Sequence, residues 1–196
     1  PYKEEIIQHL DELTPEAETI GAVNTVYYYE GKARGENTDW QGFKEALIKH
    51  VSLENKKILI YGAGGAARAC LYALKEFKSG VFLTNRTETK GMRLAEEFEV
   101  SFVDRSNLSD IDIFINATSV SLNPKNELLV SEDWLKKVSV VFDLMYGDTL
   151  LTRTANRLNI KTIDAKEMLL YQAIKQFEIF TGEKAPIEIM AKSIGI

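Results

Sequence analysis

The chain has one cysteine and two histidines among its 196 residues. Cys70 cannot close an internal disulfide, and neither His9 nor His50 has a second ligand at metal spacing, so a disulfide framework and a histidine metal centre are not expected. Both histidines read as surface residues. Cys70 falls within a helix-forming stretch and reads as a buried small hydrophobe rather than a nucleophile. Positive charge is not in excess either. Twenty-four Lys and Arg stand against 29 Asp and Glu, a formal net charge of -5, and no basic cluster offers a footprint for nucleic acid. No apolar run reaches the ~18 residues of a membrane span and no signal peptide is recognisable, which makes a reducing cytoplasm the expected compartment. Missing as well are an initiator methionine and a leading strand. The opening Pro1-Tyr2-Lys3 reads as the remainder of a longer protein.

What the chain does have is enough apolar material, 45% of its residues, for one full domain and part of a second. Its organising stretch is Ile58 to Arg68. β-Formers lead into Gly62-Ala63-Gly64-Gly65, and a helix-forming segment from Ala66 to Phe77 leaves it. A strand, a tight glycine turn and a helix in this order form an anion site, because the first N-H groups of a helix have no internal partners and lie at the positive end of its dipole. Gly62 and Gly64 permit the sharp turn and close approach to a pyrophosphate. Ala67 takes the place of a third glycine and is small enough for close helix-to-strand packing.

Around this turn the pattern is regular. Strands are expected at Ile58 to Tyr61, Val81 to Thr84, Ile111 to Asn116, Val138 to Leu144 and Lys161 to Ile163. Helices are expected at Ala66 to Phe77, Thr89 to Phe98, Glu132 to Lys136, Leu150 to Leu158 and Met168 to Thr181, the last ended by Gly182. Almost wholly apolar strands alternating with helices imply a parallel sheet covered on both faces: an α/β, Rossmann-like, doubly wound architecture. Before it, a short helix at Lys3 to Leu10, a second one capped by Thr14 with Pro15 at its first position, a strand from Val23 to Tyr29 turning at Glu30-Gly31-Lys32 into Ala33 to Gly35, and a helix from Trp40 to His50 are expected. Asp39, just before that last helix, has the position of an N-cap.

The second strand of the sheet should end near the adenosine ribose, where enzymes using NAD place an acid. Here it ends in Thr84-Asn85-Arg86-Thr87, about 20 residues beyond the glycine turn, without one. Arg86 offers a fork of donors suited to a 2'-phosphate, with Asn85 and Thr87 as neutral hydrogen-bonding groups beside it, so the expected cofactor is NADP.

Three motifs remain: Gly21-Ala22-Val23-Asn24-Thr25, Asn37-Thr38-Asp39 and Met168-Leu169-Leu170-Tyr171-Gln172. With the glycine turn and Asn85-Arg86-Thr87 they closely resemble, in order and over essentially the whole chain, the shikimate dehydrogenase family. Pro1-Tyr2-Lys3 resembles the end of that family's Asn-Val-Thr-x-Pro-x-Lys motif. The resemblance implies an NADP-dependent oxidoreductase interconverting 3-dehydroshikimate and shikimate, with Lys3 as the catalytic lysine and Asp39 as its paired aspartate. Asn24 and Gln172 would contact substrate hydroxyls, with Asp39 and Tyr146 also at the substrate. Asn116, Ala117, Thr118 and Met168 would line the nicotinamide side, and Gly62, Ala63, Gly64, Gly65 and Ala66 would hold the cofactor phosphates.

On this reading residues 1 to 50 are the remnant of a substrate domain with a connecting helix, 51 to 165 bind NADP, and 166 to 196 return to the substrate side. The active site should lie in the cleft between the two parts. The protein would act as a monomer or homodimer on a small molecule, with neither nucleic acid nor membrane as partner. A broader quinate/shikimate dehydrogenase and an inactive NADP-binding fragment or paralogue are the alternatives. The chain also departs from the family pattern. Ala165-Lys166-Glu167 replaces Gly-x-Gly, Gly147-Asp148 follows Asp143-Leu144-Met145-Tyr146 where Asn-Pro is common, and Val120-Ser121-Leu122 is unusual. Glu167 is expected either to alter the approach to the nicotinamide or to point to solvent.

Overall fold

The computed structural model describes residues 2–105, 108, 110–120 and 128–196. Pro1 of the opening motif, and Ser121 and Leu122 of the unusual segment, lie outside them.

A 3-10 helix, Glu5–His9, opens the chain within the short helix expected over Lys3 to Leu10. Strand β1 (Glu12–Leu13) and helix α1 (Pro15–Ile20) follow. The Thr14 hydroxyl accepts from the Ala17 N-H at 3.3 Å, Pro15 holds the first helical position, and Gly21 ends the helix at φ +66°. Strands β2 (Thr25–Tyr29) and β3 (Lys32–Glu36) form an antiparallel hairpin. Its two turn residues, Glu30 and Gly31, both have positive φ, as a two-residue turn matched to strand twist requires. The return strand is therefore longer than expected, and β1 pairs parallel to it in a three-stranded sheet of order β1-β3-β2.

Helix α2 (Asp39–His50) leads to the main unit: β4 (Lys57–Tyr61), α3 (Gly65–Leu74), β5 (Gly80–Thr84), α4 (Glu88–Glu97), β6 (Ser101–Phe102), β7 (Ile113–Asn116), α5 (Glu132–Leu135), β8 (Val140–Asp143), α6 (Leu150–Arg157) and β9 (Lys161–Ile163). These strands make one parallel sheet of order β6-β5-β4-β7-β8-β9. The strand order reverses between β4 and β7, the switch point at whose carboxyl end doubly wound sheets bind ligands. One face is covered by α2, α3 and Met168, with Phe43 stacked on Phe142 at 5.7 Å between ring centroids, and the other by Leu135, Leu151 and Ala155. Cys70 is fully buried in the first of these clusters, and burial, followed by the charge of Asp39, pushes its thiol well above the ordinary range. It is the inert hydrophobe that its helix position implied.

Helix α7 (Ala165–Thr181) starts a turn earlier than its apolar pattern suggested, because the Asp164 carboxylate caps it by accepting from the Lys166 N-H at 2.9 Å. Helix α8 (Ile187–Ser193) buries no residue, so no buried stripe marked it in the sequence. Strands β1 and β6, two residues each, are too short to show a period.

The early start of α7 settles Glu167 and corrects the surface reading of His50. Lys49 and His50, in the last turn of α2, each place a nitrogen 2.7 Å from a different carboxylate oxygen of Glu167, whose side chain is only 12% exposed. Glu167 thus points neither to solvent nor to a cofactor but ties α7 to α2. His9, by contrast, is exposed as expected. Burial alone would raise the Glu167 pKa, but hydrogen bonds from Lys49 and His50 outweigh it and hold the carboxyl below the ordinary glutamate range. A depressed folded-state pKa adds stability above the unfolded value, and that stability disappears as pH falls through the folded one. Glu167→Gln should therefore cost about 1–2 kcal/mol in urea denaturation at pH 7. The difference from wild type should close below roughly pH 4. A gap that persists unchanged there would show that charge is not its source.

Candidate active site

The glycine turn sits at the carboxyl end of β4, at the switch point. Gly62 has φ +132°, and a Cβ there would lie 2.9 Å from the carbonyl oxygen of Ala117 at the end of β7, so two strand ends approach across a position that admits no side chain. Gly64 is the N-cap of α3 and offers no side-chain cap. Nothing lies within 4 Å of where its Cβ would be. The unpaired N-H groups of α3 therefore face open space, the arrangement that receives a phosphate.

That space is a cleft of about 660 Å³ lined by Gly62, Ala63, Gly64, Ala117 and Thr118 at one side and Asn85, Arg86 and Thr87 at the other. Asn85 donates from Nδ2 to the Thr87 carbonyl at 2.9 Å and shapes the turn that exposes Arg86. Lys90 and Arg105 reach the same cleft. Among the described residues neither Arg86 nor Lys90 has an ion-pair partner, and both line the cleft. Lys90 was legible as a cation in the first turn of the helix that follows Arg86. Arg105, after the two-residue strand β6, had no signal. The group implied by the sequence fits: a bare helix N-terminus for the pyrophosphate and a cationic pocket for a 2'-phosphate. Asn116 supports the cleft from behind. It is fully buried, donating to Asp143 at 2.9 Å and accepting from the Thr118 N-H at 3.0 Å and hydroxyl at 2.7 Å. Ala66 packs against the core, as does Met168, whose side chain is buried rather than turned into this cleft.

The second half of the site comes from the first 50 residues. Gly65 is so close to the chain's beginning that a Cβ on it would lie 3.2 Å from Cβ and 3.4 Å from Cδ of Lys3. Lys3 Nζ donates to Asp39 Oδ2, and Asn24 Nδ2 donates to Asp39 Oδ1 at 2.8 Å. Asp39 is at the first position of α2 and 2% exposed, where the helix dipole favours its negative charge. It is not the helix cap that its position suggested. The Asn37 side chain accepts from the Asp39 N-H at 3.0 Å instead, and also donates to the Ala22 carbonyl at 2.8 Å. The Asp39 carboxylate is thereby free to hold Lys3. The lysine side chain stays 40% exposed against 3% for the aspartate, so Lys3 is the member of the pair that a substrate can reach.

Tyr146 and Gln172 close this end. Burial, and then the charge of Asp39, raise the Tyr146 hydroxyl above its ordinary range, partly offset by hydrogen bonding from Gln172. Gln172 also carries a buried side-chain oxygen without a partner. Asp143 fixes the loop bearing Tyr146, accepting from the Thr149 hydroxyl at 2.7 Å and the Met145 N-H at 3.2 Å. Gly147, at φ +92°, lets the chain turn where the family commonly has Asn-Pro. Among the described residues no acidic, histidine or cysteine cluster could hold a metal, and no helix is long and apolar enough to cross a membrane.

A parallel doubly wound sheet with an open phosphate site, a cationic ribose pocket and a lysine beside the glycine turn defines an NADP-dependent oxidoreductase. Family models agree along the chain: the shikimate dehydrogenase substrate binding domain over residues 1–26, shikimate / quinate 5-dehydrogenase over 44–145, and the shikimate 5'-dehydrogenase C-terminal domain over 167–194. The shikimate dehydrogenase (NADP(+)) of Aquifex aeolicus is 40% identical over 99% of this chain and 73% of its own length, and that of Methanocaldococcus jannaschii 39% identical over 99% and 74%. The crystal structure of the Aquifex aeolicus shikimate dehydrogenase superposes with a TM-score of 0.92 at 38% identity, covering all of this chain and 75% of the other. The Thermus thermophilus shikimate 5-dehydrogenase in complex with NADP(H) and shikimate gives 0.88 at 34% identity, covering 98% and 75%. The chain belongs to the shikimate dehydrogenase family, and spans about three quarters of the length of these relatives.

The two glycines of the turn should fail differently. Gly64→Val places bulk where only the phosphate would be, and should leave the urea midpoint near that of wild type while raising the KM for NADPH at least tenfold. Gly62→Ala meets a carbonyl oxygen and a left-handed φ, and should destabilise the fold by about 1–3 kcal/mol. Equal loss of stability in both would contradict the assignment of Gly64 to the ligand.

Proposed function

We infer that the protein is an NADP-dependent oxidoreductase that interconverts 3-dehydroshikimate and shikimate. The observation that carries the reading is the contact between Lys3 and Gly65, which puts an ion-paired lysine against the turn that would hold the cofactor phosphates. NADPH, when bound, supplies the hydride; the chain supplies binding, orientation and the proton. Gly62 to Ala66 and the α3 N-terminus would hold the pyrophosphate, and Asn85, Arg86 and Thr87, assisted by Lys90, the adenosine 2'-phosphate. Ala117 and Thr118 would border the nicotinamide side, with Asn116 and Met168 supporting it from the core.

Lys3 would give its proton to the substrate oxygen as the carbonyl becomes an alcohol, and take it back in the reverse direction. Asp39 holds the ammonium in place through their ion pair, so that the proton is presented from a fixed position. Asn24, Asp39, Tyr146 and Gln172 would bind the hydroxyls of the ring. A substrate lacking one of these hydroxyls would strand a buried polar group such as the Gln172 oxygen, which is how such a site discriminates. Residues 1–50 and 166–196 would face the substrate and 51–165 the cofactor. The single cysteine, fully buried, suits a reducing cytoplasm.

The purified full-length protein should consume NADPH, read as falling absorbance at 340 nm, when 3-dehydroshikimate is added. Bound NADPH with no absorbance change would refute the function. Arg86→Ala should raise the KM for NADPH at least tenfold, the loss of one or two charge-assisted hydrogen bonds, and leave the rate with NADH within twofold. A parallel loss with both cofactors would remove Arg86 from the 2'-phosphate site.

A further inference from the structure

Asn24 reaches Asp39 only because its carboxamide is held one way round. Its Oδ1 accepts from the Thr38 N-H at 2.9 Å, a group that can only donate, so the oxygen is assigned and Nδ2 is left for Asp39. Thr38 grips the other side of the same amide, its hydroxyl accepting from Nδ2 at 3.0 Å. A further partner is less obvious. Thr25, 2% exposed at the start of β2, donates its hydroxyl to Asn24 Oδ1 at 2.8 Å. A hydroxyl has a single proton, so Thr25 can give it to Asn24 only if its other partner is a donor. That partner is Gln176, whose Nε2 lies 3.1 Å from Thr25 Oγ1. Gln176 is one turn beyond Gln172 on α7 and so continues the face that carries the substrate-side glutamine.

We propose that Thr25 and Gln176 are positioning residues of the active site, which hold the Asn24 amide with its NH₂ toward Asp39 and thereby connect α7 to the Lys3–Asp39 pair. The proposal rests on the functional reading above. The hydrogen bonds run in one direction, from Gln176 to Thr25 to Asn24 to Asp39, with Lys3 closing the chain from the other side. Neither residue touches the proton-transfer pair. Gln176 acts only through Thr25, which makes their effects non-additive, whereas two independent structural contacts would add.

The test is a set of variants of the full-length protein. Thr25→Val keeps the shape and removes the hydroxyl. It should lower kcat at least tenfold and leave the KM for NADPH within twofold, and Thr25→Ser should recover half or more of the wild-type kcat. Gln176→Met should lower kcat three- to tenfold, and the double variant Thr25→Val/Gln176→Met should be no slower than Thr25→Val alone. In a crystal structure of Thr25→Val, Asn24 Nδ2 should have left Asp39 by more than 3.5 Å. A Thr25→Val kcat within twofold of wild type, a Thr25→Ser variant as slow as Thr25→Val, additive losses in the double variant, or an Asn24 still seated on Asp39 would each overturn the proposal. The wild-type rate reports separately on the function itself. Should wild type show no turnover, the Thr25→Val crystal structure still decides whether Thr25 orients Asn24.

Discussion

The ion pair between Lys3 and Asp39 is the constraint on which the site depends. A carboxylate that is 2% exposed needs a cation and hydrogen-bond donors, and here it receives Lys3, Asn24 and the dipole of α2. Three separate parts of the chain must meet for this to happen: the opening segment, the loop before β2 and the start of α2. The first two also meet at Gly65, which has no side chain and so admits the Lys3 stem and Ala22 within contact distance. The glycine turn and the Lys3–Asp39 pair are therefore neighbours by packing, with no further element needed to join them.

A second close approach sets the substrate end. At Gly42, near the start of α2, a Cβ would lie 2.6 Å from the Met168 carbonyl oxygen and 3.0 Å from Cβ and N of Gln172. Helices α2 and α7 cross there nearly backbone to backbone, which brings Gln172 to the side of α2 that begins with Asp39. Glu167 fastens the same two helices nearer the end of α2. Arg68 plays a comparable role at the other border. From α3 its guanidinium donates to the Ile20 carbonyl and to both oxygens of Glu97, beside Gly21 at the start of the loop carrying Asn24. The proposed catalytic groups thus stand on helix and strand ends whose spacing is set by glycines and cross-helix ties.

Much of this was legible in the sequence because it rests on local chemistry. The glycine turn, the Thr14-Pro15 helix start, the run of apolar strands and the acid missing after β5 all carry their meaning within a few residues. Other features depend on contacts between distant residues and left little trace. Asp39 has the local appearance of a helix cap, and only the arrival of Asn37, Asn24 and Lys3 around it shows that its carboxylate is spent elsewhere. Similarly, His50 and Glu167 are 117 residues apart, so nothing local tells that they pair. Lys90 and Gln176 were within reach, the first in the opening turn of the helix after Arg86 and the second one helical turn beyond Gln172. Resemblance to a known family named Lys3, Asn24 and Gln172, and the geometry supplies the physical reason these residue types stand together.

The central claim is that Lys3 and Asp39 work as one proton-handling unit on a cofactor site that exists without them. A double-mutant cycle with Lys3→Met and Asp39→Asn, read as kcat for 3-dehydroshikimate reduction, tests it most directly. Each single variant should lose at least 100-fold in kcat, the double variant should lose no more than the worse single one, and NADPH should bind all of them within threefold of wild type. Losses that multiply in the double variant, or a single variant that keeps wild-type kcat, would contradict the account.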